Sequence, residues 1–242
     1  MANHFLEQHD PDRREFQIDR LILFTDAVFA IAITLLIIEI KPPYVPDNST
    51  PADQLNQLHH LVGKFIGFIL SFFVIATYWR GHHRIFGFVT NYDEKLIWLN
   101  FRFLLTIVLM PFSSAYYSES GAYSVPFYFY HANIILTSIA NYMLIKYVFD
   151  PKNNVVEHQP SPLLKKMFLT RGFAIPAIFL LGVLLSFLPF SPSWTITISR
   201  MCPILIWPVF YFIRRYYSRD IKQHELKNTE ERLADEEESR LS

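Results

Sequence analysis

The 242-residue sequence predicts an all-α, polytopic membrane protein with six transmembrane helices. Three observations carry that prediction: six stretches long and apolar enough to cross a bilayer, basic residues gathered in alternate loops, and a heavy load of phenylalanine. Hydrophobic residues make up 51% of the chain and aromatic residues 17%, with 23 Phe. A water-soluble domain has little reason to carry that much Phe, whereas a bilayer has a place for it. A soluble helical bundle would also need polar faces, which six near-continuous apolar spans do not leave.

A helix crosses the hydrocarbon core with about 20 mostly apolar residues. The six stretches that satisfy this are residues 21–40, 61–79, 96–117, 125–149, 168–188 and 194–213. Pro42 and Pro43 stop the first, because proline lacks the N–H a helix needs. Residues 118–124 and 189–193 are short turns between antiparallel neighbours. Trp79 and Trp194 stand at span ends, where indole rings favour the interface.

Orientation follows from Lys and Arg. Eighteen of the 22 basic residues lie in the N-terminal segment, in or beside the loops after the second and fourth spans, or in the C-terminal tail. Only Lys41 and Lys64 lie near the opposite side, while Arg102 and Arg200 fall inside spans. An even number of spans then puts both termini in the cytoplasm, with the cell membrane as the expected location. The chain divides into a cytoplasmic segment 1–19, a six-helix domain 20–214 and a charged cytoplasmic tail 215–242. The tail begins basic and aromatic and ends acidic (Asp235 to Glu238), as a solvated helical extension would. No cleavable signal peptide is expected, since no short apolar segment with a cleavage site follows the polar start.

Composition also narrows the function classes. The formal net charge is zero, so no basic field points to nucleic acid. The single cysteine, Cys202, allows neither a disulfide framework nor a Cys-based metal site, and reads as a small apolar filler. His82-His83 after the second span could suggest a metal site, but no nearby His or acid completes a ligand set, and paired loop histidines are usually solvated. His131 is isolated in the fourth span. With no nucleophile–base arrangement and no phosphate loop, neither an enzyme nor a cofactor is expected.

Polar residues within spans are costly and face protein or water. Asp26 and Arg102 sit at similar depth near the cytoplasmic ends of the first and third spans, roughly 9 Å in. Asp26 is thus half of an ion pair with Arg102 or Arg20, or a carboxylate that handles ions or protons. At about 100° per residue, Ile31, Thr34, Leu35 and Ile38 fall on one stripe of the first helix, which Phe24 and Ala27 extend. Asp26 points elsewhere, roughly 140° away. Such a stripe ordinarily packs against other helices. Glu39, near the outer end, is either a solvated end residue or a cation-gathering group at an outer mouth.

The run Arg20-Leu-Ile-Leu-Phe24-Thr25-Asp26 resembles the RxxxF[ST]D signature of the lysosomal potassium channel family (the transmembrane protein 175 family), with Thr25 where Ser is usual. Residues 27–36, the run Trp79-Arg80-Gly81-His82-His83-Arg84-Ile85-Phe86, Leu99-Asn100 and Met110-Pro111-Phe112 are similar to that family as well. The likeness covers roughly 20–214, a prokaryotic-type single six-helix unit, and leaves the tail out. It implies a modestly selective, passive potassium channel in which a homotetramer gathers four first helices around a pore, with potassium the only metal, in transit. Ile31 would then be the constriction, with Leu35 and Ile38 further pore positions and Thr34 a hydroxyl layer. Arg20, Phe24, Thr25, Asp26, Trp79, His83, Asn100 and Arg102 would form a network tying the first helix to the second and third. Partners would be the lipid bilayer and monovalent cations. A secondary transporter is the alternative, although Asp26 and Glu39 lie near span ends and not at the midplane where coupling carboxylates belong.

Overall fold

The computed structural model describes residues 14–119, 124–188 and 201–218. The elements are α1 (Arg14–Ile38), α2 (Pro51–His60), α3 (Val62–Phe86), α4 (Glu94–Val108), α5 (Met110–Glu119), α6 (Ser124–Val148) and α7 (Pro162–Leu185). A last helix, α8, runs over residues 206–218 after a 3-10 turn, Cys202–Leu205. Among the described residues there is no strand, so the protein is all-helical.

Among the described residues, four helical stretches are long and apolar enough to cross a membrane: Phe16–Ile38, Pro51–Phe86, Glu94–Glu119 and Pro162–Leu185. They coincide with the first, second, third and fifth expected spans, and the chain is a membrane protein. The fourth expected span is α6, 25 residues long but more polar, because it carries His131, Asn133 and Asn141. Its polar side chains turn inward: these three, with Thr137 and Ser138, are buried. The sixth begins outside the described residues and is helical over 206–218. The domain boundaries expected at 19/20 and 214/215 both fall within helices, since α1 starts at Arg14 and α8 continues to residue 218.

Local chemistry explains the ends. Thr50 and Asp53 form a capping box at the start of α2, and Pro51 sits where a missing N–H costs nothing. Asp93 caps α4 by accepting from the Leu96 N–H at 2.7 Å, and it also accepts from the Tyr147 hydroxyl. Ser161 caps α7, again with proline following. The third expected span is not one helix. It breaks at Leu109 between α4 and α5, where Pro111 has no N–H to return to the Ile107 carbonyl.

Helix α1 lies against α3, α4 and α5, while α6 lies against α4, α5 and α7. The core is aromatic, with Phe29, Tyr78, Phe103, Tyr130, Phe149 and Phe179 almost fully enclosed. Polar pairs cross between helices inside it. Ser71 bonds Ser114 at 2.7 Å and Tyr130 at 2.9 Å, Asn133 donates to Ser113 at 3.0 Å, and Tyr78 bonds Ser138 at 2.6 Å. Such pairs hold helices together where the surroundings give no hydrophobic drive to pack.

The two ends of the bundle are tied separately. At one end Lys64 pairs with Glu119 at 3.2 Å. At the other, the loops after α3 and α6 meet: the Thr90 and Asn91 N–H groups donate to the Val155 carbonyl, and the Glu157 N–H donates to Thr90 Oγ1. The loops read as basic therefore share one end of the molecule.

Candidate functional site on the first helix

By sequence α1 is apolar nearly all round past Arg20, so only packing can distinguish its faces. One face is closed. Ile18, Thr25, Phe29, Ala32 and Leu36, spaced by seven, four, three and four residues, are at most 5% exposed. The opposite face is open. Ile31 is 58% exposed, Leu35 38% and Ile38 67%, and Thr34 is exposed beside them. This is the stripe that helical phasing picks out. The open face is wider than that stripe, because Leu23 and Ile37 are exposed as well. Ile33, on the other side, packs against the core.

The closed face is anchored by a directional hydrogen-bond chain. Thr25 Oγ1 donates to the Leu21 carbonyl at 2.8 Å, which leaves its lone pairs free. Asn100 Nδ2 from α4 donates to Thr25 Oγ1 at 2.8 Å. The amide nitrogen being so used, Asn100 Oδ1 is the acceptor, and His82 Nε2 from α3 donates to it across 2.9 Å. Thr25, His82 and Asn100 are all buried. The imidazole of His82 stacks on Phe86 at 4.0 Å and lies parallel to Phe103 at 5.8 Å. One residue along, Asp26 accepts from the Trp79 indole N–H at 2.8 Å, and Trp79 stacks on His83. Three helices thus meet at one height through Thr25 and Asp26.

Not every residue expected in the network joins it. The Asp26–Arg102 ion pair does not form, nor does one with Arg20: among the described residues neither arginine is salt-bridged to Asp26. Arg102 is exposed, and Arg20 lies over the Phe16 ring at 6.0 Å. The physical reason is that Trp79 already satisfies the carboxylate while both guanidiniums can stay hydrated. Phe24 is half exposed and meets Phe101 edge-on at 5.7 Å. Conversely, His82 is buried, not a solvated loop histidine. The signal was available: Ser71, Ile75, Tyr78, His82 and Ile85 recur at helical spacing, but the expected span ended at 79, before that stripe did. Glu39 is exposed just past the end of α1.

The open face offers oxygen as well as hydrocarbon. The Thr34 hydroxyl lies 3.0 Å from the Ala30 carbonyl and 2.9 Å from that of Ile31. Its hydrogen is turned back into the helix, so its lone pairs point outward, as a cation would require. Among the described residues no group of three His, Cys, Asp or Glu is placed to hold a metal ion.

Residues 20–111 match the family model described as "Endosomal/lysosomal potassium channel TMEM175". A protein of Chryseobacterium sp. (strain P1-3) named a potassium channel is 31% identical over 121 residues, 50% of this chain and 59% of the relative. One of Streptomyces collinus, also named a potassium channel, is 36% identical over 104 residues, 41% of this chain and 47% of the relative. The chain therefore spans about half the length of the curated relatives it matches. In fold the likeness runs further. The crystal structure of a lysosomal potassium-selective channel TMEM175 homologue from Chamaesiphon minutus superposes with a TM-score of 0.59 at 22% identity, covering 84% of this chain and 97% of that one. The family-model match, residues 20–111, takes in most of α1, its anchor, and the helices α3 and α4 that hold it.

Proposed function

We propose that this chain is a passive, modestly potassium-selective cation channel of the cell membrane, with both termini in the cytoplasm. In this reading it has six spans within residues 20–214 and assembles as a homotetramer around four copies of α1. One observation carries the reading: the stripe Ile31, Thr34, Leu35, Ile38 is left uncovered on a helix whose opposite face is locked to α3 and α4. A single chain gives that stripe no partner, and a four-fold axis would. The names of the relatives, potassium channels in two bacteria, support the same reading.

In the mechanism that follows, four Ile31 side chains form a narrow apolar neck that excludes water when closed and admits the ion when widened. Leu35 and Ile38 continue the apolar wall outward, and Thr34 oxygens replace part of the lost hydration. Sodium holds its water more tightly and is the more penalised ion, which gives modest selectivity. Glu39 at the outer end raises local cation concentration. Potassium passes through, and no resident cofactor takes part.

A secondary transporter is disfavoured by the engagement of Asp26. A coupling carboxylate must exchange ligands, whereas this one holds the Trp79 indole near the end of a span. The test is reconstitution of purified protein in liposomes. A potassium gradient alone should drive flux, at rates that single-channel recording resolves. Flux that requires a second, coupled solute would overturn the channel reading.

A further inference from the structure

Away from α1, four arginines from three helices converge on one cavity. Arg80 and Arg84 come from α3, Arg171 from α7 and Arg214 from α8, around a space of about 460 Å³. No acidic side chain lines it among the described residues. The guanidiniums lie within electrostatic reach of one another, Arg84 repelled by Arg80 and Arg214, and Arg171 by Arg84, Arg80 and Arg214. Arg171 Nε is buried without a hydrogen-bond partner, and so is Asn141 Oδ1 in the cavity wall. Arg171 is half-buried while Arg80, Arg84 and Arg214 keep exposed surface, and like charges gathered around one cavity repel unless an anion joins them.

The remainder of the cavity is apolar and continues into a second space. A groove of about 200 Å³ runs between α3 and the last helical segment, sharing Phe73, Thr77 and Trp207 with the arginine cavity and reaching Ile66. From Arg80 to Ile66 along α3 is roughly 21 Å at 1.5 Å per residue. That exceeds half the ~30 Å hydrocarbon thickness, the depth one acyl chain occupies. The arginines lie at the same end of the bundle as the joined basic loops, where a headgroup would sit. A free phosphate would use the guanidiniums and leave the groove empty, whereas a phospholipid uses both.

We propose that this cavity is a binding site for an anionic phospholipid, its phosphate held by Arg80, Arg84, Arg171 and Arg214 and one acyl chain laid along α3. Phosphatidylglycerol, an anionic phospholipid whose single negative charge is its phosphate, is the probe. The site is independent of whether the protein conducts potassium. The experiment is native mass spectrometry of the purified, delipidated protein titrated with phosphatidylglycerol, phosphatidylcholine or inorganic phosphate. Phosphatidylglycerol should bind at least tenfold more tightly than phosphatidylcholine, and millimolar inorganic phosphate should not displace it. The double variant Arg171→Gln/Arg214→Gln should lose most of that preference, roughly fivefold for each arginine near the membrane surface. Arg215→Gln, which changes the adjacent exposed charge, should keep it. Equal binding of the two lipids by the unaltered protein would overturn the proposal without recourse to any variant. So would an equal loss in Arg215→Gln, or binding of inorganic phosphate with no lipid preference.

Discussion

The two faces of α1 are both apolar, yet they have opposite fates. Small and aromatic residues at 25, 29 and 32 close one face against α3 and α4, and a threonine–asparagine–histidine chain fixes its height. Branched aliphatics at 31, 35 and 38 stay open on the other. Hydropathy cannot separate them. Both hydroxyls donate back to the helix backbone; what separates the faces is that Thr25 Oγ1 also accepts from the buried Asn100 amide, whereas Thr34 bonds only its own helix among the described residues. Membrane helices find each other through polar and close contacts more than through apolarity, so the anchored face is the one with a specific partner inside the chain.

The largest expected effect comes from cutting the anchor. Asn100→Ala strands the buried His82 N–H and removes the donor to Thr25, which should cost on the order of 2–3 kcal/mol. Thermal unfolding of the purified protein in detergent would read it as a clear fall in midpoint. A change no greater than that of an open-face variant would show that the two faces do not differ in this way. A smaller loss is expected at the half-buried neighbour. Trp79→Phe deletes the donor to Asp26 and should cost about 1 kcal/mol, with ion preference unchanged. A sharp shift in the potassium-to-sodium ratio of an intact Trp79→Phe assembly would place Asp26 in the conduction path.

The smallest effect on folding belongs to Thr34→Ala, within about 0.5 kcal/mol, as for other exposed sites. Its effect on function should be larger than on stability. Conduction should persist and preference for potassium should fall, because outward oxygens are removed without narrowing the path. Bi-ionic reversal potentials would measure this, and an unaltered ratio would remove Thr34 from the proposed selectivity layer.

Much of the fold is legible in sequence because bilayer thickness and backbone hydrogen bonding impose lengths that a reader can count. The first, second, third and fifth expected spans are found as membrane-length helices. Boundaries are less legible. Residues 80–86 carry Arg80, Gly81, His82, His83 and Arg84, which look like a loop, yet α3 continues to Phe86 because Ile75, Tyr78, His82 and Ile85 bury one stripe. The break at Leu109 was written in Pro111, though apolar continuity masked it. Phasing alone groups Ile31, Thr34, Leu35 and Ile38 on one side of α1, but that this side is the open one comes only from the packing. The Asp26 partner was not legible in sequence. Matching depth favoured Arg102, but depth says nothing about azimuth, and an indole N–H can satisfy a carboxylate without burying a second charge. The arginine cavity was invisible for a related reason, since Arg80, Arg171 and Arg214 are far apart in the chain.

The central claim, that the open face of α1 lines the conduction path, is tested most directly by one paired measurement. Ile31→Asn and Ile33→Asn introduce the same amide two residues apart, on the open and closed faces. Potassium and sodium flux through each variant should be recorded after reconstitution, with assembly size checked in the same preparation. Ile31→Asn should keep its assembly while conductance or leak rises and selectivity weakens, because a wettable ring replaces an apolar neck. Ile33→Asn should lower stability by about 1–3 kcal/mol through an unsatisfied amide against the core, with the conduction of surviving assemblies unchanged. Unchanged flux in Ile31→Asn together with altered flux in intact Ile33→Asn assemblies would contradict the assignment.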